Sequence, residues 1–142
     1  MKASELMIGD FVISKKEDHM NEYAQIDAIE EGQTCILLKQ DNVNYFTDIS
    51  KIEPIPITPE ILKKNGIVKH KFECHIEECY SRYIMPTNNE QFILWEETDC
   101  FELVLRHIVD NLTYSALRCK VKYVHELQHA IGLCGVNLKI VL

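Results

Sequence analysis

Glu53-Pro54-Ile55-Pro56-Ile57-Thr58-Pro59 places three prolines within seven positions. Proline lacks an N–H and fixes φ, so this run suits neither a helix interior nor a regular ladder. It reads as an extended linker that divides the 142-residue chain. Just beyond it, Thr58 predicts an N-cap, with Pro59 at the first helical position and Glu60 near the positive end of the dipole. Gly66 predicts the stop, so residues 54–66 make a proline-rich linker and one short helix.

Upstream, residues 1–53 predict four or five short strands. Leu6–Ser14 opens the series, with a bend or bulge at Gly9-Asp10. Glu22–Ile29 alternates, with Ala24, Ile26 and Ala28 facing one way and Tyr23, Gln25 and Asp27 the other. Thr34–Lys39 and Val43–Phe46 follow, separated by Asp41-Asn42. Tight spacing of this kind predicts a small SH3-like β-barrel. Downstream, residues 67–142 predict a mixed or antiparallel sheet with a C-terminal helix, so the fold class is α+β. Its strands are a hairpin arm over 68–83, then 91–95, 101–108 and 115–122. Over Glu102–His107 the period is equally compatible with a helix. The stripe Tyr123, Val124, Leu127, Ala130, Ile131 and Cys134 predicts a helix over 123–134, closed by Gly135. The apolar tail 136–142 predicts an edge strand.

Composition excludes more than it identifies. Apolar residues are 46% and charged residues 26% of the chain, which is globular. No apolar run approaches the roughly 18 residues that span a bilayer, and no export signal stands at the start. A cytoplasmic, non-membrane location is expected. Six cysteines then read as free thiols. Residues 1–57 hold 5 basic and 11 acidic side chains, a net of −6; residues 58–142 hold 10 and 11, a net of −1. The acidity belongs to the first unit, which argues against nucleic-acid binding there.

His125-Glu126-Leu127-Gln128-His129 matches H-E-x-x-H. Histidines one helical turn apart can grip one zinc ion, and the intervening glutamate can act as general base. A zinc-dependent hydrolase using His125, His129 and Glu126 is therefore one reading. Against it, this composition yields the pattern by chance in about 2–3% of shuffles. Catalytic zinc needs a third protein ligand. Gly135 occupies the spacing at which that ligand would follow, and upstream Cys100, Glu96 or His107 have no supporting spacing. The helical wheel also puts both histidines opposite the apolar stripe, on the solvent side. Cys74-His75-Ile76-Glu77-Glu78-Cys79 matches no common zinc module and reads as core or surface thiols on a strand. His19 and His70 read as solvated, Trp95 as a core anchor, and the glutamate pairs as strand ends.

Three blocks stand in a specific order: Leu6-Met7-Ile8-Gly9-Asp10-Phe11-Val12, then Ile52 through Gly66, then Tyr123-Val124-His125-Glu126-Leu127-Gln128-His129 with Leu133-Cys134-Gly135. Together they resemble a group of proteins of Bacteroides-type gut bacteria, often carried by prophages and other mobile elements. The resemblance covers both ends and the linker. It implies a small N-terminal barrel and a C-terminal helix that serves the architecture, and it implies no activity. The leading expectation is a non-enzymatic interaction or accessory protein that meets a protein partner through its acidic first unit, around Asp27, Glu30 and Glu31. A zinc hydrolase and an acidic DNA-mimicking inhibitor are the alternatives.

Overall fold

A computed structural model describes residues 5–15, 21–29, 35–40, 43–71, 78–84, 90–109, 112–135 and 139–142. The architecture is α+β, with two five-stranded antiparallel sheets and a C-terminal helix. Contacts divide the chain into two units. The first is Met1–Pro56 with Tyr123–His125; the second is Ile57–Lys122 with Glu126–Leu142.

In the first unit, β1 (Phe11–Lys15), β2 (Asn21–Ile29), β3 (Cys35–Gln40), β4 (Val43–Asp48) and β5 (Ile52–Pro54) pair in the order β4-β3-β2-β1-β5. The first four form a meander. A 3-10 turn, Ile49–Lys51, capped by the Asp48 carboxylate on the Ser50 N–H at 2.8 Å, brings β5 back beside β1. Alternation sends Val12, Ala24, Ile26, Leu38 and Ile52 inward, where they form one core with Leu6. A register shift between Ile26 and Ala28 ends the predicted alternation before Ala28. The hydrogen-bonded order stops at β4 and β5, so among the described residues it closes no barrel.

Two local devices set the ends of this sheet. Met7–Asp10 is a turn in which the Asp10 N–H donates to the Met7 carbonyl at 3.1 Å and the Met7 N–H donates to the Asp10 carboxylate at 2.7 Å. Gly9 has φ +95°, a conformation open to glycine at the third position of such a turn. The turn is tied to β2 through Ile26 and leaves Ile8 69% and Met7 57% exposed. At the other end, Pro54 lies on the terminal strand, where its missing N–H costs no ladder bond. The proline run is extended as predicted, but it is not a solvated tether. Ile55 is buried, its carbonyl accepts the Val124 N–H at 2.9 Å, and Pro56 bridges Tyr123.

In the second unit, α1 (Pro59–Lys64) begins where Thr58 Oγ1 accepts the Ile61 N–H at 3.3 Å. It ends as a paired Schellman turn: the Ile67 N–H donates to Leu62 O and the Gly66 N–H to Lys63 O, with Gly66 at φ +70°. Leu62 and Ile67, which the motif brings together, are fully buried, worth about 1.5–3 kcal/mol each relative to exposure. The sheet runs β6 (Val68–Lys71), β7 (Glu78–Ile84), β8 (Glu90–Glu96), β9 (Phe101–Val109) and β10 (Leu112–Val121), each beside the next. Residues 102–107 are strand, which resolves the ambiguity of their period. Consecutive Leu103, Val104 and Leu105 are all buried, as are Ile93 and Leu94. Burial on both faces erases alternation.

The last helix, α2 (Val124–Leu133), buries Val124, His125, Leu127, Ala130 and Ile131. The tail does not add the expected edge strand over its described residues, 139–142. Instead, buried Asn65 substitutes for a strand. Its Nδ2 donates to Val141 O and to Ile61 O at 2.8 and 2.7 Å, and its Oδ1 accepts the Val141 N–H at 2.8 Å. One side-chain amide thus satisfies both polar groups of a backbone residue.

Asn65→Ala should lower unfolding free energy by about 1–3 kcal/mol in urea titrations, because it orphans these groups. Lys64→Ala, which removes only an exposed bond to Leu142 O, should change it by less than about 0.5 kcal/mol.

Candidate functional site

The residues of H-E-x-x-H have architectural partners. Tyr123 precedes α2 in a bridge to Pro56. Its ring stacks on His125, with centroids 5.9 Å apart and planes 7° from parallel. His125 is only 4% exposed, which corrects the solvent-facing position expected from the wheel. The wheel assumes one packing partner along the whole helix. Here Tyr123–His125 belong to the first unit and the rest of α2 to the second. The contact division falls inside the motif.

Glu126 turns back on its own helix. Its Oε2 accepts the Lys122 N–H at 2.6 Å, satisfying a donor just ahead of the helix as a capping-box glutamate does. His129 is half-buried on the next turn.

The proposed third ligands are engaged elsewhere or lie outside the described side chains. Cys100 Sγ donates to Glu97 Oε2 at 3.4 Å, and burial, then Glu97, pushes its thiol up. Glu96 pairs with Lys69 at 3.1 Å. The backbone of His107 lies on β9, but its side chain is outside the described residues. So are Glu30, Glu31, Cys74, His75, Glu77 and His19, and the side chains of His70, Glu78 and Cys79. Among the described residues, no group of three His, Cys, Asp or Glu side chains could hold a metal. Cys100, Cys119 and Cys134 are not joined in disulfides. The Cys119 thiol is pushed up by burial, then by Cys134 and Glu126, which disfavours the thiolate that metals bind. Trp95 is half-buried on β8, at the margin of the core. No described helix is long and apolar enough to cross a membrane.

The two units differ in their surface chemistry. On the second, acids and bases neutralise one another. Arg118 grips Glu102 through two bonds of 2.7 and 2.9 Å, Lys120 meets Glu97 at 2.7 Å, and Lys122 meets Asp99 at 3.6 Å. Arg118 holds the Glu102 carboxyl below its ordinary range; Lys120, then Cys100, does the same for Glu97. On the first unit such neutralisation is arithmetically incomplete, with 11 acids against 5 bases. Register places Phe11, Ile13, Tyr23, Asp27, Lys39, Asn44 and Phe46 on its outer face. Tyr23 is 56% and Phe46 63% exposed there, and Val43 at the start of β4 is 63% exposed. Sequence reasoning located the acidity but missed these apolar groups, although Tyr23 already stood on the polar side of the alternating run.

No protein-family model matches this chain. No curated protein and no solved structure matches it either.

Glu126→Ala should lower stability by about 0.5–2 kcal/mol through loss of the N-terminal acceptor, and Glu126→Gln should recover most of it, as read by thermal melting. The depressed Glu97 and Glu102 carboxyls contribute stability that is present above their unfolded value of 4.5 and lost as pH falls through the lower folded values. Melting curves should therefore shift down below that pH. The double variant E97Q/E102Q should flatten this acid-side slope.

Proposed function

We propose that the chain is a non-enzymatic interaction protein whose acidic first unit, an SH3-like small barrel, meets a protein partner through its outer face. The carrying observation is that exposed Met7, Ile8, Tyr23, Val43 and Phe46 share a unit whose sequence carries a net of −6. Large apolar side chains cost free energy in water, and their exposure in number is characteristic of association surfaces. Aromatics and methionine are enriched at interface cores, and charge supplies the rim and the steering. Ile8 and Met7 gain from a fixed turn, because a preorganised side chain loses little entropy on docking.

The SH3-like assignment rests on the four-strand meander, the 3-10 turn and the return of β5 to β1. The resemblance to mobile-element proteins supports an accessory role in a bacterial cell. A DNA mimic is less consistent with this face. It requires free carboxylates in rows, whereas Asp27 accepts from Asn44 at 3.2 Å, Glu53 pairs with Lys15, and aromatic side chains stand between them.

Affinity capture from the source cells, quantified by mass spectrometry, tests the reading. The partners retained by the intact chain should be lost with M7S/I8S/Y23S and kept with Leu133→Ser on the second unit, at unchanged melting temperatures. An identical partner set for both variants would reject the outer face as the interface.

A further inference from the structure

We propose that β4 is the acceptor edge for an extended basic segment of the partner, which adds to the first sheet as a further antiparallel strand. This deepens the interaction reading and rests on it.

Among the described residues four strands terminate the two sheets, and three carry features that discourage strand addition. β5 is three residues long and contains Pro54. β6 is four residues long and carries Lys69 and Lys71. β10 carries Arg118 and Lys120 and has a register shift between Ser115 and Leu117. Short length, proline, lysine and bulges are the usual protections of an edge. β4, Val43-Asn44-Tyr45-Phe46-Thr47-Asp48, has none of them. It contains no proline and no basic residue, and it pairs with β3 through six consecutive positions without a shift. Its single charge, Asp48, lies at the end and caps the following turn.

The side chains along this edge suit an added strand. Tyr45 packs toward the core. Phe46 is on the outer face, and Val43 has the opposite parity; both are 63% exposed. An incoming strand would therefore find an apolar neighbour on each side of the sheet, while its main chain supplied the affinity.

Charge decides the occupant. A second copy pairing β4 to β4 would set one net charge of −6 against another. A segment alternating basic and apolar residues would relieve the acidic field and lay its apolar side against Val43 or against Phe46, according to its register.

The test uses the full chain and a Lys–Val alternating peptide. Two controls are a Glu–Val peptide and a Lys–Val peptide of equal charge with proline at every third residue. Binding is read by fluorescence anisotropy and by backbone amide exchange. The Lys–Val peptide should bind, slow exchange within 43–48, and lose at least about tenfold in affinity with either control and with V43K/F46K. M7K/Y23K, which adds equal charge elsewhere on the unit, should weaken it less. Equal binding of the proline-containing peptide would show attraction without strand pairing and overturn the inference. Dimerisation seen by light scattering and abolished by V43K/F46K would overturn it in favour of a second copy. Loss with M7K/Y23K but not V43K/F46K would reject β4 while leaving the outer-face reading intact. If V43K/F46K does not fold, exchange at 43–48 in the intact chain decides.

Discussion

The first unit depends on a backbone hydrogen bond made very late in the sequence. The Val124 N–H donates to Ile55 O, beside the bridge between Pro56 and Tyr123. Ile55 is buried and its carbonyl would otherwise lack this donor; an unsatisfied buried carbonyl costs roughly 1–3 kcal/mol. Proline sharpens the constraint. Pro54 and Pro56 contribute no N–H, so at these two positions the segment can pair only through its carbonyls. The unit is therefore discontinuous in sequence: Met1–Pro56 is joined by Tyr123–His125. Pairing between such distant residues carries a loop-closure entropy cost.

The second unit solves a related problem with a side chain. Asn65 is the C-cap of α1, and its amide also binds Val141. A six-residue helix has little intrinsic stability. Here each terminus has a specific partner: Thr58 at the start, and the Asn65-Gly66-Ile67 turn at the end. The same Asn65 that ends the helix also holds the tail, so local capping and long-range closure share one residue.

What could be read from the sequence follows from the range of the interactions involved. Thr58, Pro59 and Gly66 were legible because a cap depends on residues within one turn. The strands of the first unit were legible because Ala24 and Ile26 alternate with exposed Tyr23 and half-buried Gln25. Residues 102–107 were ambiguous because burial on both faces leaves no period. The burial of His125 was hidden, since it depends on Tyr123 stacking outside the helix and on a change of packing partner along it. The role of Asn65 was hidden too; Lys64-Asn65-Gly66 announces a helix end but not a distant backbone partner. Of the proposed interface, the charge was legible, whereas the exposure of Phe46 required knowing that β4 ends the sheet.

The same reasoning explains how H-E-x-x-H can arise without a metal requirement. A buried aromatic ring at 125 stacks on Tyr123, and a glutamate at 126 caps the Lys122 N–H. Each choice is favoured by local architecture, and neither depends on His129. A catalytic zinc site would impose joint demands on His125, Glu126 and His129. It would need both histidines convergent and Glu126 free to approach water, whereas Glu126 accepts a 2.6 Å backbone bond. Two independent local interactions thus account for His125 and Glu126. The net charge of −6 and the exposed apolar groups of the first unit are the features on which the proposed association with a partner rests.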